Sequence, residues 1–283
     1  MKLENVSKTY KNKIEAVKDF TLNINPEEFL VIVGPSGCGK TTLLKLIAGL
    51  EKPTTGTMDI HNAAMVFQMP NLFGHMSVLE NILIGKNDEQ RAKEMAEIVG
   101  ITSLLEQKAS TLSGGQSQKV ALARAFMKEC DLVLMDEPCA HLDEKSKEMI
   151  QNEILRMHRK LRRTILYVTH DQKEAMKMAT RIIVMNQGEI QQIGTAKEIY
   201  CQPANEFVAC FFGMNVFNHK AVRMEDIHVC ENSENKAHVV SSQFQGKEYI
   251  STIEWNNHVL KMMDTEDRSG QTISITMENI QYF

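Results

Sequence analysis

The stretch GPSGCGKT, from Gly34 to Thr41, has the G-x-x-x-x-G-K-T spacing of a phosphate-binding loop. Glycines let backbone N–H groups close around phosphate oxygens, and the N-terminus of a following helix favours negative charge. In such a loop Lys40 would reach the β- and γ-phosphates, and the Thr41 hydroxyl would hold Mg²⁺. The spacing therefore predicts a site for a nucleoside triphosphate and Mg²⁺.

The residues of this loop and its first helical turn are expected to line the phosphates. Cys38 is interpreted as a small filler of the loop, with one alternative left open. A thiol near a helix N-terminus can be acidified, and its alkylation would then block nucleotide binding. The residues predicted to bind the nucleotide here are Gly34, Pro35, Ser36, Gly37, Cys38, Gly39, Lys40, Thr41 and Thr42.

Two acidic residues follow an apolar run in the stretch DLVLMDEP. Open parallel sheets bind ligands at the carboxyl ends of their strands, so Asp136 is placed to bind Mg²⁺, directly or through water. Glu137 is placed to accept a proton from an attacking water. The alternative, an ordinary acidic turn after a strand, is disfavoured by the phosphate-binding loop upstream.

Short apolar runs alternate with helical patterns and would carry these residues. Such alternation is typical of parallel strands buried on both faces, so it predicts an α/β fold. The strand-like runs are residues 29–33, 131–135, 164–169 and 181–185. The helices are expected to pack through the apolar faces Leu43, Ile47 and Leu50, and Ile150, Ile154, Met157 and Leu161.

The length of the chain and a change in its hydrophobic pattern predict two domains. With 283 residues it is long enough for one domain of about 200 residues and a smaller one. A helical subdomain is expected at about 77–130, because residues 77–110 contain few strand-like runs. After about residue 213 polar and apolar residues alternate, which predicts a small antiparallel β domain over 214–283.

Composition excludes several classes of function. The net charge of −4 gives no bulk attraction to nucleic acid or anionic lipid. The six cysteines show no zinc-like spacing, so they are expected to be free thiols in a reducing compartment. No signal peptide and no uncharged apolar run of about 18 residues occurs. Any role at a membrane is therefore expected to need a partner that spans it.

Further motifs follow the loop in a fixed order: VFQ, LSGGQ, DLVLMDEP, HLD and VTH. Over residues 1 to about 213 they resemble the ATP-binding cassette (ABC) family. The stretch LFGHMSVLENI and the run from VMNQGEI to ACFFG resemble importer ATPases of the maltose, polyamine, ferric-iron and sulfate type. The resemblance implies a P-loop NTPase fold, an ABC nucleotide-binding domain with a helical subdomain. The tail, with AVRMEDI, resembles the transport-associated, OB-like β domain of such ATPases.

The resemblance also implies roles for residues outside the loop. Tyr10 would stack on adenine, Gln68 would contact Mg²⁺ or the attacking water, and His170 would bind the γ-phosphate and orient Glu137. A surface tyrosine and a structural histidine are the simpler alternatives for Tyr10 and His170. The implied catalytic residues are Glu137, His170, Gln68 and Lys40, and the implied metal ligands are Thr41, Gln68 and Asp136.

The LSGGQ motif carries a second set of backbone amides. Ser113, Gly114, Gly115 and Gln116 precede a helical pattern, so their N–H groups form a second anion site at a helix N-terminus. In the family this site faces the ATP held by the other subunit. Asp143 would lie across the same interface, and a helix N-cap is its simpler interpretation. The resemblance thus implies a head-to-tail dimer of two copies.

As a member of this group the chain would be a peripheral ATPase at the cytoplasmic face of the cell membrane. It would use ATP and Mg²⁺ to drive solute uptake through membrane permease subunits, indirectly serving a solute-binding protein and no nucleic acid. A soluble ABC ATPase of DNA repair or translation is the alternative. It is disfavoured because the chain has one cassette, no long coiled-coil insertion and no basic arm. A regulatory protein without catalysis is disfavoured because all the catalytic residues are present. The sequence does not specify the solute.

The chain departs from the family pattern at several positions. The hairpin before Gln68 is shorter than usual, and the tail is shorter than the paired OB lobes of larger relatives. A half-unit completed by a second copy is one interpretation of that tail. Unusual residues stand at Gly74, Ser117, Lys119, Cys139 and His141.

Overall fold

Four apolar runs become strands of one sheet in the computed structural model, which describes residues 1–60, 62–231 and 233–283. The chain divides into two compact units, Met1–Ala196 and Lys197–Phe283. The strands of the first unit are β1 (Lys2–Thr9), β2 (Glu15–Asn23), β3 (Phe29–Val33), β4 (Thr55–Asp59), β5 (Ala63–Val66), β6 (Leu132–Asp136), β7 (Thr164–Thr169), β8 (Arg181–Asn186) and β9 (Glu189–Gly194).

The larger sheet of this unit has six strands in the order β5-β6-β7-β3-β8-β9. The strands from β5 to β8 pair in parallel, and β9 returns antiparallel to β8. All side chains of β3, β6 and β7 are buried, as their unbroken apolar sequences predict. The predicted α/β fold with buried parallel strands is confirmed.

A second, antiparallel sheet of three strands in the order β2-β1-β4 completes this unit. Several side chains of β1 and β2 are buried, among them Leu3, Val17 and Phe20. These residues belong to the same apolar core as Leu43 and Leu44. This sheet was not predicted from the sequence.

The helices of the first unit carry the motifs between the strands. One long amphipathic helix follows β6, and three helices occupy the segment predicted to be a helical subdomain. The helices are α1 (Lys40–Ile47), α2 (Val78–Leu83), α3 (Glu89–Ile98), α4 (Gly114–Met127), α5 (Glu144–Leu161) and α6 (Gln172–Met178).

Two residues of the predicted helix faces are placed differently. Helix α1 ends at Ile47, so Leu50 lies beyond it and is 60% exposed. The expected face was extended too far, because Gly49 adopts φ +71° and stops the helix. Leu161 ends α5 and is half-buried. The other residues of the predicted face, Ile150, Ile154 and Met157, are buried.

The second unit contains the C-terminal strands. Helix α7 (Ala196–Cys201) begins at the boundary and α8 (Glu206–Phe211) follows. The antiparallel strands begin at Asn215, and the expected domain limit at 213/214 stays a prediction. The strands are β10 (Asn215–Phe217), β11 (Lys220–Val222), β12 (Ile227–Val229), β13 (Lys236–Phe244), β14 (Tyr249–Trp255), β15 (His258–Asp264), β16 (Thr272–Met277) and β17 (Gln281–Tyr282).

Five of these strands form an antiparallel sheet in the order β12-β16-β13-β14-β15. Its two edge strands, β12 and β15, come near each other, so the sheet is almost a closed barrel. Its interior holds Val239, Ile253, Leu260 and Ile275. This confirms the predicted small OB-like β domain. In residues 1–60, 62–231 and 233–283 no helix has both the length and the apolar character needed to cross a membrane.

Candidate functional site

Four neighbouring strands of the large sheet end at one edge, and each is followed by a predicted motif. These strands are β5, β6, β7 and β3. They pair in parallel, so their carboxyl ends lie at the same edge of the sheet. Gln68 comes shortly after β5, Asp136 ends β6, His170 follows β7, and the phosphate-binding loop begins at Gly34 after β3. Ligands of open α/β sheets bind at this edge. The fold therefore gathers residues that are far apart in sequence.

The loop after β3 is held in shape by its own lysine. Lys40 Nζ donates hydrogen bonds to the carbonyl oxygens of Gly34 and Pro35, each at 2.8 Å. Gly39 has φ +108°, and a Cβ there would lie 2.0 Å from the carbonyl oxygen of Ala16. Position 39 therefore requires glycine. Lys40 is 5% exposed, so its ammonium group lies inside the loop that it is predicted to serve.

The tip of the loop is exposed and the thiol beneath it is not. Ser36 and Gly37 are exposed, and Gly37 adopts φ +81° with open space where a Cβ would stand. Cys38 is 5% exposed, and its Sγ lies 3.9 Å from Lys40 Nζ. Burial raises the pKa of the Cys38 thiol, and the nearby ammonium acts in the opposite direction without reversing this. Burial thus favours the interpretation of Cys38 as a small filler of the loop.

Thr41 and Asp136 meet at the start of α1. Thr41 Oγ1 donates to Asp136 Oδ1 at 3.1 Å. Burial raises the pKa of the Asp136 carboxyl, and the bond from Thr41 acts in the opposite direction. Hydroxyl and carboxylate oxygens are ligands that suit Mg²⁺. A cation here would also relieve the cost of keeping Asp136 charged while it is 7% exposed, so the residues fit a magnesium ion.

Glu137 and His170 face each other from adjacent strand ends. Nδ1 of His170 and Oε2 of Glu137 are 3.0 Å apart. Glu137 has φ +43°, in the left-handed region that non-glycine residues rarely adopt. Its backbone N–H donates to the carbonyl oxygen of Val168 at 3.0 Å, which holds this conformation. Strained backbone of this kind is one of the features that cluster at functional sites.

Tyr10 lies after β1, close to the helix that follows the loop. Its hydroxyl donates to Glu51 Oε1 at 2.9 Å and lies 3.4 Å from Thr42 Oγ1. The ammonium of Lys8 stands 5.3 Å from the centre of the Tyr10 ring. These contacts fix the ring beside the second threonine of the loop. They do not test the predicted stacking on adenine.

The second anion site has a helix start of its own. Ser113 caps α4 through a capping box, in which its hydroxyl accepts from the N–H of Gln116 and the Gln116 side chain accepts from the N–H of Ser113. Gly114 and Gly115 form the first turn. A hollow of about 310 Å³ adjoins this turn and is also lined by Ser146. Within the described residues, no hydrogen bond joins this group to the phosphate-binding loop.

Two further predicted residues are placed without contact to the loop. Gln68 is exposed, and across the described residues its side chain has no hydrogen-bonding partner. Asp143 caps α5 by accepting from the N–H of Ser146 at 3.0 Å. Hydrogen bonds from Ser146 hold the pKa of the Asp143 carboxyl below its ordinary value. The N-cap interpretation of Asp143 is thus observed, while its predicted place at an interface is untested.

Sequence reasoning missed the side chains that fasten the segment after Gln68. Arg124 of α4 donates to the carbonyl oxygens of Pro70 and Asn71, at 2.9 and 3.1 Å. Asn81 of α2 is fully buried and exchanges hydrogen bonds with the backbone of Phe73. A polar residue such as Asn81 inside an apolar helical pattern was the available signal. Nothing local distinguishes Arg124 from a solvent-exposed helix residue.

The comparisons with known proteins agree with this geometry. The model of the family described as ABC transporter matches residues 17–140. The oligosaccharides import ATP-binding protein MsmX of Bacillus subtilis is 44% identical over 78% of this chain and 67% of its own length. The multiple sugar-binding transport ATP-binding protein MsmK of Streptococcus mutans is 40% identical over 81% of this chain and 69% of its own length.

A solved structure also resembles the chain. It is a dimeric ATP-binding cassette in a post-hydrolysis state, bound to ADP and phosphate. It shares 34% identity, covers 69% of this chain and 98% of its own, and has a TM-score of 0.61. The chain spans about two thirds of the length of the curated relatives it matches, from 66% to 69%. The resemblance seen in the motifs is confirmed: the chain belongs to the ABC transporter family of ATP-binding proteins.

Proposed function

We propose that the chain binds ATP with Mg²⁺ at the carboxyl edge of its large sheet and hydrolyses it there. The loop amides and Lys40 would hold the phosphates, Thr41 and Asp136 would hold the metal with Gln68, and Glu137 would accept a proton from the attacking water. His170 would bind the γ-phosphate and orient Glu137. The observation that carries this proposal is the 3.0 Å contact of Glu137 with His170 beside the Thr41–Asp136 pair.

The remaining nucleotide contacts would come from Tyr10 and from a second copy of the chain. Tyr10 would stack on adenine, which needs an aromatic face and no base-specific bond. Ser113, Gly114, Gly115 and Gln116 would face the ATP of the other copy, with Asp143 at the same interface. Two copies in head-to-tail contact would complete two sites, because each copy offers a loop and a separate helix N-terminus. A relative solved as a dimer supports this arrangement.

The work done by this dimer would be solute import. Binding of ATP would favour the closed dimer, and hydrolysis would remove the γ-phosphate that links the two copies. Residues 68–77 would pass the movement to permease subunits, placing the chain at the cytoplasmic face of the membrane. The names of the relatives favour a saccharide as the solute, delivered by a solute-binding protein. Residues 1–213 would form the ATPase domain and 214–283 a short transport-associated domain.

Mixing two inactive variants tests whether sites are shared between copies. Lys40→Ala removes the phosphate lysine, and Ser113→Arg blocks the second anion site. A mixed dimer has one site without either group and one complete site. Phosphate release should therefore reappear on mixing and stay absent in each variant alone.

A control separates sharing of sites from failure to pair. Mg·ATP should convert Glu137→Gln from monomer to dimer in light scattering. If Glu137→Gln dimerises while the mixture of Lys40→Ala and Ser113→Arg stays inactive, one complete ATP site cannot hydrolyse ATP unless the other site is also complete. If it stays monomeric at saturating Mg·ATP and the mixture is inactive, the shared-site proposal is wrong.

A further inference from the structure

A largely buried polar cluster includes Asp171, the residue after His170, and the proposed reaction does not use it. The Glu174 cluster, as we name it, contains Cys139, Lys147, Gln151, Tyr167, Asp171 and Glu174. Glu174 is 4% exposed and accepts from the Tyr167 hydroxyl and from Gln151 Nε2, each at 3.1 Å. Burial raises the pKa of the Cys139 thiol to about 12, so this residue takes part as a neutral thiol.

Lys147 neutralises both carboxylates of this cluster. Its Nζ lies 3.3 Å from Glu174 Oε1 and also contacts Asp171 Oδ2. The Lys147 side chain is 17% exposed and that of Glu174 is 5% exposed. A buried ion pair that loses one partner leaves an uncompensated charge, so Lys147 is required for this arrangement.

Asp171 connects this ion pair to the histidine beside it. Its Oδ1 accepts from the N–H groups of Lys173 and Glu174 and caps α6. Its own N–H donates to Thr169 Oγ1 at 3.0 Å. Burial alone would raise the pKa of Asp171, but the Lys147 ammonium and the helix N–H groups hold it below its ordinary value. His170 stands between two residues that are fixed in this way.

Lys147 also belongs to the helix that starts at Asp143. Its backbone N–H donates to the carbonyl oxygen of Asp143 at 2.8 Å, in the first turn of α5. One side chain therefore joins the start of α5 to the residue that follows His170. The other charged groups around the adjoining hollow of about 240 Å³ are Glu144, Glu148, Lys173 and Lys177. In the part of the chain that the structure describes, Lys147 is the cation paired with both carboxylates.

We propose that Lys147 is a positioning residue for ATP hydrolysis: by holding Asp171, it keeps the His170 imidazole against Glu137 and ties that contact to the start of α5. This inference rests on the proposed ATPase function. Lys147 lies outside the nucleotide-binding loop, so it is assigned to the hydrolytic step and not to ATP binding.

The test measures phosphate release by purified full-length protein with Mg·ATP. In Lys147→Met, kcat should fall roughly 10- to 100-fold, the effect expected when a catalytic group is displaced. KM for ATP should stay within about twofold, since the contacts of the phosphate-binding loop and Lys40 with the nucleotide would remain. Lys147→Arg keeps the charge and can contact both carboxylates, so it should recover most of kcat. Lys93→Met, which removes an exposed ion pair with Glu89, is the matched control and should keep wild-type kcat.

A second pair of variants separates positioning from folding. Glu174→Gln removes the buried charge but keeps the Lys147–Asp171 pair, so most of kcat should remain. Adding Glu174→Gln to Lys147→Met should restore much of the melting temperature and leave kcat low.

Three results show whether the positioning role of Lys147 or the proposed ATPase function fails. The positioning role is overturned if kcat recovers together with the melting temperature in the double variant, or if Lys147→Met hydrolyses ATP at the wild-type rate. If the wild-type protein itself releases no phosphate, the proposed function fails instead.

Discussion

Arg124 should hold the segment that carries Gln68, and its removal can be given a magnitude. The guanidinium makes two hydrogen bonds, to the carbonyl oxygens of Pro70 and Asn71 at 2.9 and 3.1 Å. Hydrogen bonds to charged groups contribute about 1.5–3 kcal/mol each. The bond to Asn71 is exposed, so it should contribute less. We therefore expect Arg124→Gln to lower the free energy of unfolding by about 2–3 kcal/mol.

Lysine at position 124 gives an intermediate case. It keeps the charge but cannot reach both carbonyl oxygens with a planar group, so Arg124→Lys should cost about half as much. Urea unfolding followed by circular dichroism measures both losses, and hydrogen exchange of the amides in 68–76 should speed up in the same order.

Arg91 on the neighbouring helix α3 is the matched control. Its Nη2 lies 3.5 Å from the carbonyl oxygen of Phe126 and its Nη1 lies 3.8 Å from Glu129, both long contacts. Arg91→Gln should therefore change stability by about 0.5 kcal/mol or less, as for most surface substitutions. If Arg124→Gln costs no more than this control, and exchange in 68–76 is unchanged, the assigned role of Arg124 is wrong.

Other expectations concern the site, the thiols and the pH dependence. Glu137→Gln should lower kcat about 100- to 10,000-fold, the usual contribution of a general base, while equilibrium ATP binding stays intact and exposed Glu148→Gln stays active. With iodoacetamide at pH 8, mass spectrometry should find Cys201 and Cys210 labelled first. The protected thiols should be Cys38, Cys130 and Cys139. Burial lowers the pKa of His158 below 6.5. The imidazole of His158 therefore binds a proton more readily in the unfolded chain than in the folded one. Stability should fall as pH drops below that value, and His158→Gln should reduce this fall in denaturant titrations at pH 7 and pH 5.

The sequence was sufficient to predict the part of the fold that depends on unbroken apolar runs. Strands β3, β6 and β7 have no polar interruption, so their burial on both faces could be inferred directly. Their order in the sheet was not predicted, because the periodicity of a strand does not reveal its neighbours. The antiparallel strands β1 and β2 were missed because bulges break their alternation, with register shifts at several points.

The part of the site that belongs to short motifs could be predicted from the sequence. Lys40, Thr41 and Asp136 were placed from spacing, and the contact between Thr41 and Asp136 agrees with a shared ligand. The Glu174 cluster was not predictable, because its members come from a loop, a strand and two helices. Cys139 was noticed only as a departure from the family pattern. Its burial against Tyr167 is a tertiary contact that no local pattern encodes.

The capping box of α4 has a consequence for how fast two copies could meet and part. Ser113 and Gln116 satisfy each other's backbone groups, so this turn is complete before any partner arrives. Because the Ser113 hydroxyl accepts the N–H of Gln116, its own proton remains available for a phosphate oxygen. A surface that needs no folding upon contact loses little conformational entropy in association. In the proposed dimer, such a preorganised contact would form and dissolve in each round of ATP hydrolysis without a refolding step.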